Sequence, residues 1–241
     1  MSIIPKWEVV SVYELQSQNA NKYLMPTYKN SRGFNERLFL ESGYMVLLPD
    51  ISQRNEGALL CKQCAGPPQA DMKRVGLLGQ SFGGYQTNFI ATRSNRFAAY
   101  ISGASISDVI DTSFAFNYNF YFADYWRYED GQFRLGDFVA QKQKYWDNNP
   151  LYYAHQVKAP MLLWTGTADK NVNPEQTRSF YDALRKYRKP VIALFYKDEM
   201  HSLTRNPARR DLSIRMLEWM GYFLKDQKEV SWIQKQMKEA Q

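Results

Sequence analysis

Short apolar runs alternate along this chain with helix-length amphipathic segments, the pattern of a parallel sheet covered by helices. Strands are predicted at residues 7–13 (WEVVSVY), 44–48, 74–78, 98–103, 161–165 and 191–196. Helices are predicted at 35–41, 83–92, 174–187 and 211–225. Pro174 falls in the first turn of the third of these, where its fixed φ and missing N–H do no harm. Between 106 and 154 the periodicity fails. That stretch is crowded with aromatic residues (FAFNYNFYFADYWRY) and reads as an excursion over the carboxyl edge of the sheet, where open α/β sheets hold their ligands. No internal repeat or low-complexity linker interrupts the chain, so a single domain over residues 1–241 is expected.

The chemistry concentrates in one turn. Gly79-Gln80-Ser81-Phe82-Gly83 is a G-x-S-x-G motif between a predicted strand and a predicted helix, the context that a nucleophile elbow requires. A sharp strand-to-helix turn forces the serine into a strained backbone conformation, and glycines two residues to either side let the chain pass close to itself. The same turn places the Phe82 N–H at a helix N-terminus, where it can face a developing oxyanion. A serine hydroxyl needs a base, and the base needs an orienting carboxylate. The chain holds two histidines. His201 follows a predicted strand, at the carboxyl edge, whereas His155 precedes one and belongs at the opposite edge as a structural residue. His201 is therefore the expected base. In this fold the acid lies between serine and histidine in the chain, after the preceding strand, which selects Asp169. Asp198 and Glu199 compete, but they are too near His201 in sequence to approach its ring.

Composition changes little in this picture. Hydrophobic residues make up 44% of the 241, enough for a sizeable core, and 15% are aromatic, for which core packing is the ordinary use. The net charge of +7 permits an anionic partner, but the densest basic clusters, 185–189 and 205–210, each lie beside a predicted helix as solvated surface. No nucleic-acid partner is expected. Cys61 and Cys64 form a lone C-x-x-C without a second pair, and are expected to be incidental thiols rather than metal ligands. No metal or cofactor is called for. No apolar run is long enough for a membrane helix, and the first residues lack the basic region and small-residue cleavage site of a signal peptide, so no membrane partner and no compartment are indicated.

Four stretches together resemble the catalytic domain of the prolyl oligopeptidase family of serine peptidases, which includes dipeptidyl peptidases and acylaminoacyl peptidases. They are RVGLLGQSFGGYQT (74–87), GYMVLLPD (43–50), NNPLYYAHQVKAPMLLWTGTADKNV (148–172) and YKDEMHSL (196–203). The segment RRDLSIRMLEWMGYFLK (209–225) is similar to the family's terminal helix, and the likeness runs from about residue 7 to 225. The resemblance implies an α/β-hydrolase fold, with a mainly parallel sheet flanked by helices, and a triad of Ser81, Asp169 and His201. It further implies that Tyr13 donates its hydroxyl to the oxyanion hole beside the Phe82 N–H, and that Asn171 contacts a substrate backbone carbonyl. Tyr85 and the aromatic segment 116–126 fall where the family builds the pocket for the residue before the scissile bond.

Relative to the family pattern, the N-terminal β-propeller and the first two strands are expected to be missing, making this an N-terminally truncated domain. The crossover 51–72 is short, and its Gly66-Pro67-Pro68 would break a covering helix. The expected function is hydrolysis of peptide bonds through an acyl-enzyme. Two alternatives stay open: an esterase-like hydrolase of small acyl esters, and an inactive remnant retained as a binding module. The open sheet edges would permit a homo-oligomer, and no segment specifies one.

Overall fold

The computed structural model describes residues 7–19, 22, 24–51 and 71–238. Among the described residues, six parallel strands form one sheet: β1 (Glu8–Ser11), β2 (Met45–Leu47), β3 (Val75–Gln80), β4 (Ala99–Gly103), β7 (Met161–Gly166) and β8 (Val191–Tyr196). Their order is β2-β1-β3-β4-β7-β8, and every pairing is parallel. This is the mainly parallel, helix-flanked sheet that the alternation of apolar runs predicts.

The strands read as nearly unbroken apolar runs because both faces of the sheet are covered. On one face Leu78, Ile101, Leu162, Trp164 and Ile192 pack against the helix α7 (Asn206–Leu224) through Leu212, Met216, Trp219 and Met220. On the other, Leu77, Tyr100, Leu163 and Val191 pack against α2 (Phe82–Arg93) and α6 (Glu175–Lys186) through Ile90, Phe180 and Leu184. Successive residues of one strand serve opposite faces, as the two-residue period demands. Full burial of one such aliphatic side chain is worth about 2 kcal/mol, so each face contributes heavily to stability.

Local signals explain several helix ends. Asn35 caps α1 (Glu36–Glu41) by accepting the Leu38 N–H at 2.8 Å, leaving Leu38 and Phe39 to fill the core. Along α6 the buried positions Gln176, Thr177, Phe180 and Leu184 follow helical spacing, which made this helix legible in the sequence. By contrast, α2 is buried on all sides except at Arg93, so it carries no apolar stripe.

The structure departs from expectation at α7, which begins at Asn206 rather than at residue 211, because Pro207 occupies its first turn and admits the helix earlier. A further helix, α8 (Ser231–Lys238), was not foreseen. It is held by Ile233 in the core and by Trp232, whose indole N–H donates to Glu218 at 2.6 Å while its ring lies 6.3 Å from Trp219. The first strand is shorter than its apolar run, four residues against the seven of 7–13.

The excursion 106–154 carries three short helices, α3 (Val109–Ser113), α4 (Tyr125–Glu129) and α5 (Lys142–Asp147). It also carries a small antiparallel hairpin, β5 (Phe116–Asn117) with β6 (Phe122–Ala123). Its residues Ile106, Val109, Tyr128, Phe133, Leu135 and Tyr145 join Phe82, Tyr85 and Val172 in a third core cluster. The excursion is therefore anchored on the elbow and on the loop after β7. Of the crossover 51–72, residues 52–70, with Gly66, Pro67, Pro68, Cys61 and Cys64, lie outside the described residues.

Candidate active site

Ser81 follows β3 and caps α2, with φ 61° and ψ −121°, a conformation that side-chain-bearing residues rarely adopt. The turn is locked from both sides: the Ser81 N–H donates to the Gly103 carbonyl at 2.8 Å, and the Ser81 carbonyl accepts from the Tyr85 N–H at 3.0 Å. A serine in this position ordinarily spends its hydroxyl on the helix it caps, yet Ser81 makes no such bond. Its Oγ lies instead 2.9 Å from His201 Nε2.

The flanking glycines are demanded by close approach. A Cβ on Gly79 would stand 2.2 Å from the Gly83 carbonyl oxygen, and one on Gly83 would stand 2.1 Å from the Val12 carbonyl oxygen. Both obstructions are backbone atoms that cannot swing aside. Gly83→Ala is therefore expected to destabilise the fold by about 3 kcal/mol, read as a lower denaturant midpoint, because β1 and α2 must separate.

His201 Nδ1 lies 2.7 Å from Asp169 Oδ2. The Asp169 side chain is 0% exposed and that of His201 22% exposed, so the carboxylate is sealed while the ring keeps access to the surface. The other carboxylate oxygen, Oδ1, accepts the N–H groups of Asn171 at 2.8 Å and Val172 at 3.0 Å. These donors set the carboxylate's orientation, so Oδ2 must face the ring. A carboxylate on Nδ1 selects the tautomer whose Nε2 lone pair points at the serine hydroxyl.

The loop carrying His201 is pinned from outside and braced from within. Gln80 Nε2 donates to the His201 carbonyl at 3.0 Å, and the Ala168 N–H donates to the Glu199 carbonyl at 2.8 Å. Glu199, one of the rejected acids, is fully buried and turned away into this loop. It accepts the Thr204 N–H at 2.5 Å, the Thr204 hydroxyl at 3.0 Å, the Arg205 N–H at 3.2 Å and Arg205 Nε at 2.7 Å. Burial pushes its carboxyl upward, but the donors of Thr204 and Arg205 outweigh burial and hold it below the usual range. A depressed folded-state value means that this carboxylate stabilises the fold above its unfolded pKa, and that the contribution is lost as pH falls through the folded value. Glu199→Gln is thus expected to lower Tm at neutral pH, with the gap to wild type closing below about pH 4 in an acid titration of thermal stability.

Phe82 is the first residue of α2, so its N–H is among those that helix geometry leaves without an intrahelical acceptor. Tyr13 stands beside it: its ring would lie 3.3 Å from a Cβ on Gly83. Burial, then the charge of Glu14, raises the Tyr13 phenol above its ordinary value, while the hydrogen bond from the Gln132 side chain, Arg32 and Arg127 oppose the rise. Gln132 also donates to Glu14 at 2.6 Å, across the following residue's left-handed backbone, φ 40°. Asn171 follows Asp169 closely, and its side-chain oxygen lies 3.2 Å from Asn117 Nδ2.

The structure brings Ser81, Asp169 and His201 together, with Phe82, Tyr13 and Asn171 around them. Tyr85 is placed differently from the expectation of a substrate contact. It is buried in the cluster behind the elbow, its hydroxyl donating to the Asn148 carbonyl at 3.0 Å and its ring 4.8 Å from Phe133. The hairpin and α4 expose the aromatic residues Phe116, Tyr118, Phe120, Tyr121, Tyr125 and Trp126. His155 lies in the turn entering β7, at the far end of the sheet from His201, exposed and with its ring 5.7 Å from Tyr187. Among the described residues no three His, Cys, Asp or Glu side chains converge as metal ligands, and no helix is long and apolar enough to cross a membrane.

Gln132 and Asn117 carry no local signal in the sequence: their partners are remote and their chemistry is that of ordinary surface amides.

The chain is 33% identical over 138 residues to the uncharacterized peptidase YuxL of Bacillus subtilis, covering 57% of this chain and 20% of the relative. It is 24% identical over 201 residues to the acylamino-acid-releasing enzyme of Mus musculus, covering 82% of this chain and 26% of that protein. The chain thus spans about a quarter or less of the length of these relatives. Its structure superposes on the acylaminoacyl peptidase of Pyrococcus horikoshii with a TM-score of 0.71 at 26% identity, covering 95% of this chain and 39% of the other. It also matches a puromycin-hydrolyzing peptidase of Mycobacterium tuberculosis, with a TM-score of 0.73 at 21% identity over 93% of this chain and 35% of the other. That second likeness speaks for the fold alone. The fold is that of the α/β-hydrolases. With the sequence profile of the prolyl oligopeptidase family matching residues 61–227, the chain belongs to the prolyl oligopeptidase family.

Proposed function

We propose that this chain is a serine peptidase domain that cleaves peptide bonds through an acyl-enzyme on Ser81. One observation carries the reading: His201 sits between the other two groups, 2.9 Å from Ser81 Oγ and 2.7 Å from Asp169 Oδ2. His201 takes the hydroxyl proton as Ser81 attacks the carbonyl carbon, and Asp169 holds the resulting imidazolium in place. The carbonyl oxygen gains the negative charge and is met by the Phe82 N–H and the Tyr13 hydroxyl. His201 then passes its proton to the leaving amine as the C–N bond breaks. Water, deprotonated by the same ring, attacks the ester carbonyl; the bond to Ser81 Oγ breaks, His201 returns the proton to that oxygen, and the carboxylic acid product leaves. No metal or cofactor enters these steps.

Peptide substrates, contacted at a backbone carbonyl by Asn171, agree with the peptidases this chain is similar to. Residues 1–241 act in this reading as one domain. Two measurements test it: labelling by a fluorophosphonate probe, and turnover of aminoacyl-p-nitroanilides against short p-nitrophenyl esters. Labelling with anilide turnover supports the peptidase. Turnover of esters alone moves the assignment to an esterase. Absence of labelling in folded protein overturns the catalytic reading and leaves a binding module.

A further inference from the structure

We propose that Asn117 is a positioning residue: it fixes the amide of Asn171 with its Nδ2 hydrogens turned to the substrate. The inference rests on the peptidase reading above, in which Asn171 donates to a substrate backbone carbonyl.

An asparagine amide is a donor at one end and an acceptor at the other, so its usefulness depends on which end faces the ligand. Two backbone donors settle the orientation of Asn117. Its Oδ1 accepts the N–H groups of Asn119 at 3.0 Å and Phe120 at 3.1 Å, in the turn that joins β5 to β6. Only an oxygen satisfies them, so Nδ2 must point the other way. There it meets acceptors alone: the Asp124 carboxylate oxygens at 3.3 and 3.4 Å, the Asn171 carbonyl at 3.3 Å and Asn171 Oδ1 at 3.2 Å. The amide of Asn171 is oriented in turn. Its oxygen is held by Asn117, and among the described residues its Nδ2 makes no hydrogen bond.

The relay is rigid at each joint. Asn117 is 3% exposed, and its own carbonyl accepts the Tyr121 N–H at 2.8 Å. Asp124, also buried, is ion-paired to Arg127. The backbone of Asn171 is tied to Asp169 Oδ1 at 2.8 Å. The aromatic hairpin therefore reaches the substrate side of the site through a single buried amide. Without it, Asn171 would turn freely between a donating and an accepting face.

The test is steady-state kinetics of Asn117→Asp on an acylaminoacyl-p-nitroanilide and on p-nitrophenyl acetate, which has no upstream backbone carbonyl to recognise. Asn117→Asp keeps an oxygen for the turn and removes the donor to Asn171. KM for the anilide is expected to rise about tenfold, the size of one well-placed hydrogen bond, with kcat within about twofold of wild type. Turnover of the acetate should not change. Asn171→Ala should give the same rise in KM, and the double variant no more than either single one. Since a second carboxylate beside Asp124 endangers folding, Asn117→Ser, which retains a hydroxyl acceptor for the turn, is measured in parallel with Tm. An unchanged KM in a folded variant, equal losses on both substrates, or additive effects in the double variant would each overturn the assignment. Wild-type protein that turns over neither compound fails one step earlier, at Ser81, and the inference falls with it.

Discussion

Ser81→Ala is expected to abolish fluorophosphonate labelling and to lower kcat by about 10⁶-fold, with no loss of folded protein. The size of the effect follows from the arrangement of the turn. Every neighbour of the hydroxyl is organised around one oxygen: His201 faces it at 2.9 Å, and α2 begins immediately after it. Removing that oxygen leaves a base with nothing to deprotonate. The hydroxyl makes no capping bond to α2, so its loss costs the helix nothing. Stability should report the backbone instead. At φ 61° and ψ −121°, any Cβ is strained by about 1–3 kcal/mol, whereas glycine is not. Ser81→Gly should therefore be more stable than Ser81→Ala, by about 1 kcal/mol once the greater freedom of unfolded glycine is deducted. In thermal melts of a domain this size that is a difference of about 3 °C. Equal melting temperatures would remove the claim that strain is stored at this position, and persistent labelling of the alanine variant would place the nucleophile elsewhere.

Asp169→Asn should lower kcat by about 10⁴-fold while leaving KM and the fold close to wild type. The reason lies in the two N–H groups that point at Asp169 Oδ1, those of Asn171 at 2.8 Å and Val172 at 3.0 Å. In the variant these donors claim the amide oxygen, so the NH₂ group is driven to the position of Oδ2, facing His201 Nδ1. A donor there forces Nδ1 to act as acceptor and moves the ring proton to Nε2. The ring then presents a hydrogen, not a lone pair, to Ser81. Because the amide has the shape of the carboxylate, the loss is one of tautomer and charge, not of packing. Asp169→Ala separates the two effects: it frees the backbone donors and should lower Tm as well as kcat. A variant Asp169→Asn with near wild-type kcat would show that the orientation of His201 does not depend on this carboxylate.

Much of this was legible from one strand of letters. The strands announced themselves because a parallel sheet buried on both faces needs apolar residues at every position, and Leu77, Leu78, Leu162, Leu163 and Trp164 meet that need. The elbow was legible because only glycine fits where a Cβ would strike the backbone at 2.1–2.2 Å. With two histidines in the chain, one at each end of the sheet, the pairing of His201 with Ser81 and Asp169 needed little more than strand direction. α7 begins five residues before the periodicity predicts, since Pro207 reads as a breaker unless the helix starts there. Helix α8 is not legible in the sequence because Trp219 and Glu218, on another helix, hold it.

Pattern and motif by themselves determined the class of fold, the glycine-flanked turn at Ser81 and the family resemblance, because each depends on residues near one another or on a period repeated along the chain. Tertiary structure alone decided how the site is supported. It placed Tyr85 behind the elbow, turned Glu199 into the His201 loop, and set Gln132 against Tyr13 and Asn117 against Asn171. Asn117 and Asn171 are 54 residues apart, and Gln132 and Glu14 are 118 apart. Hydrogen bonds of that span arise only when the chain has closed over the sheet edge, and an amide's choice of which end to present is made by the donors it meets there.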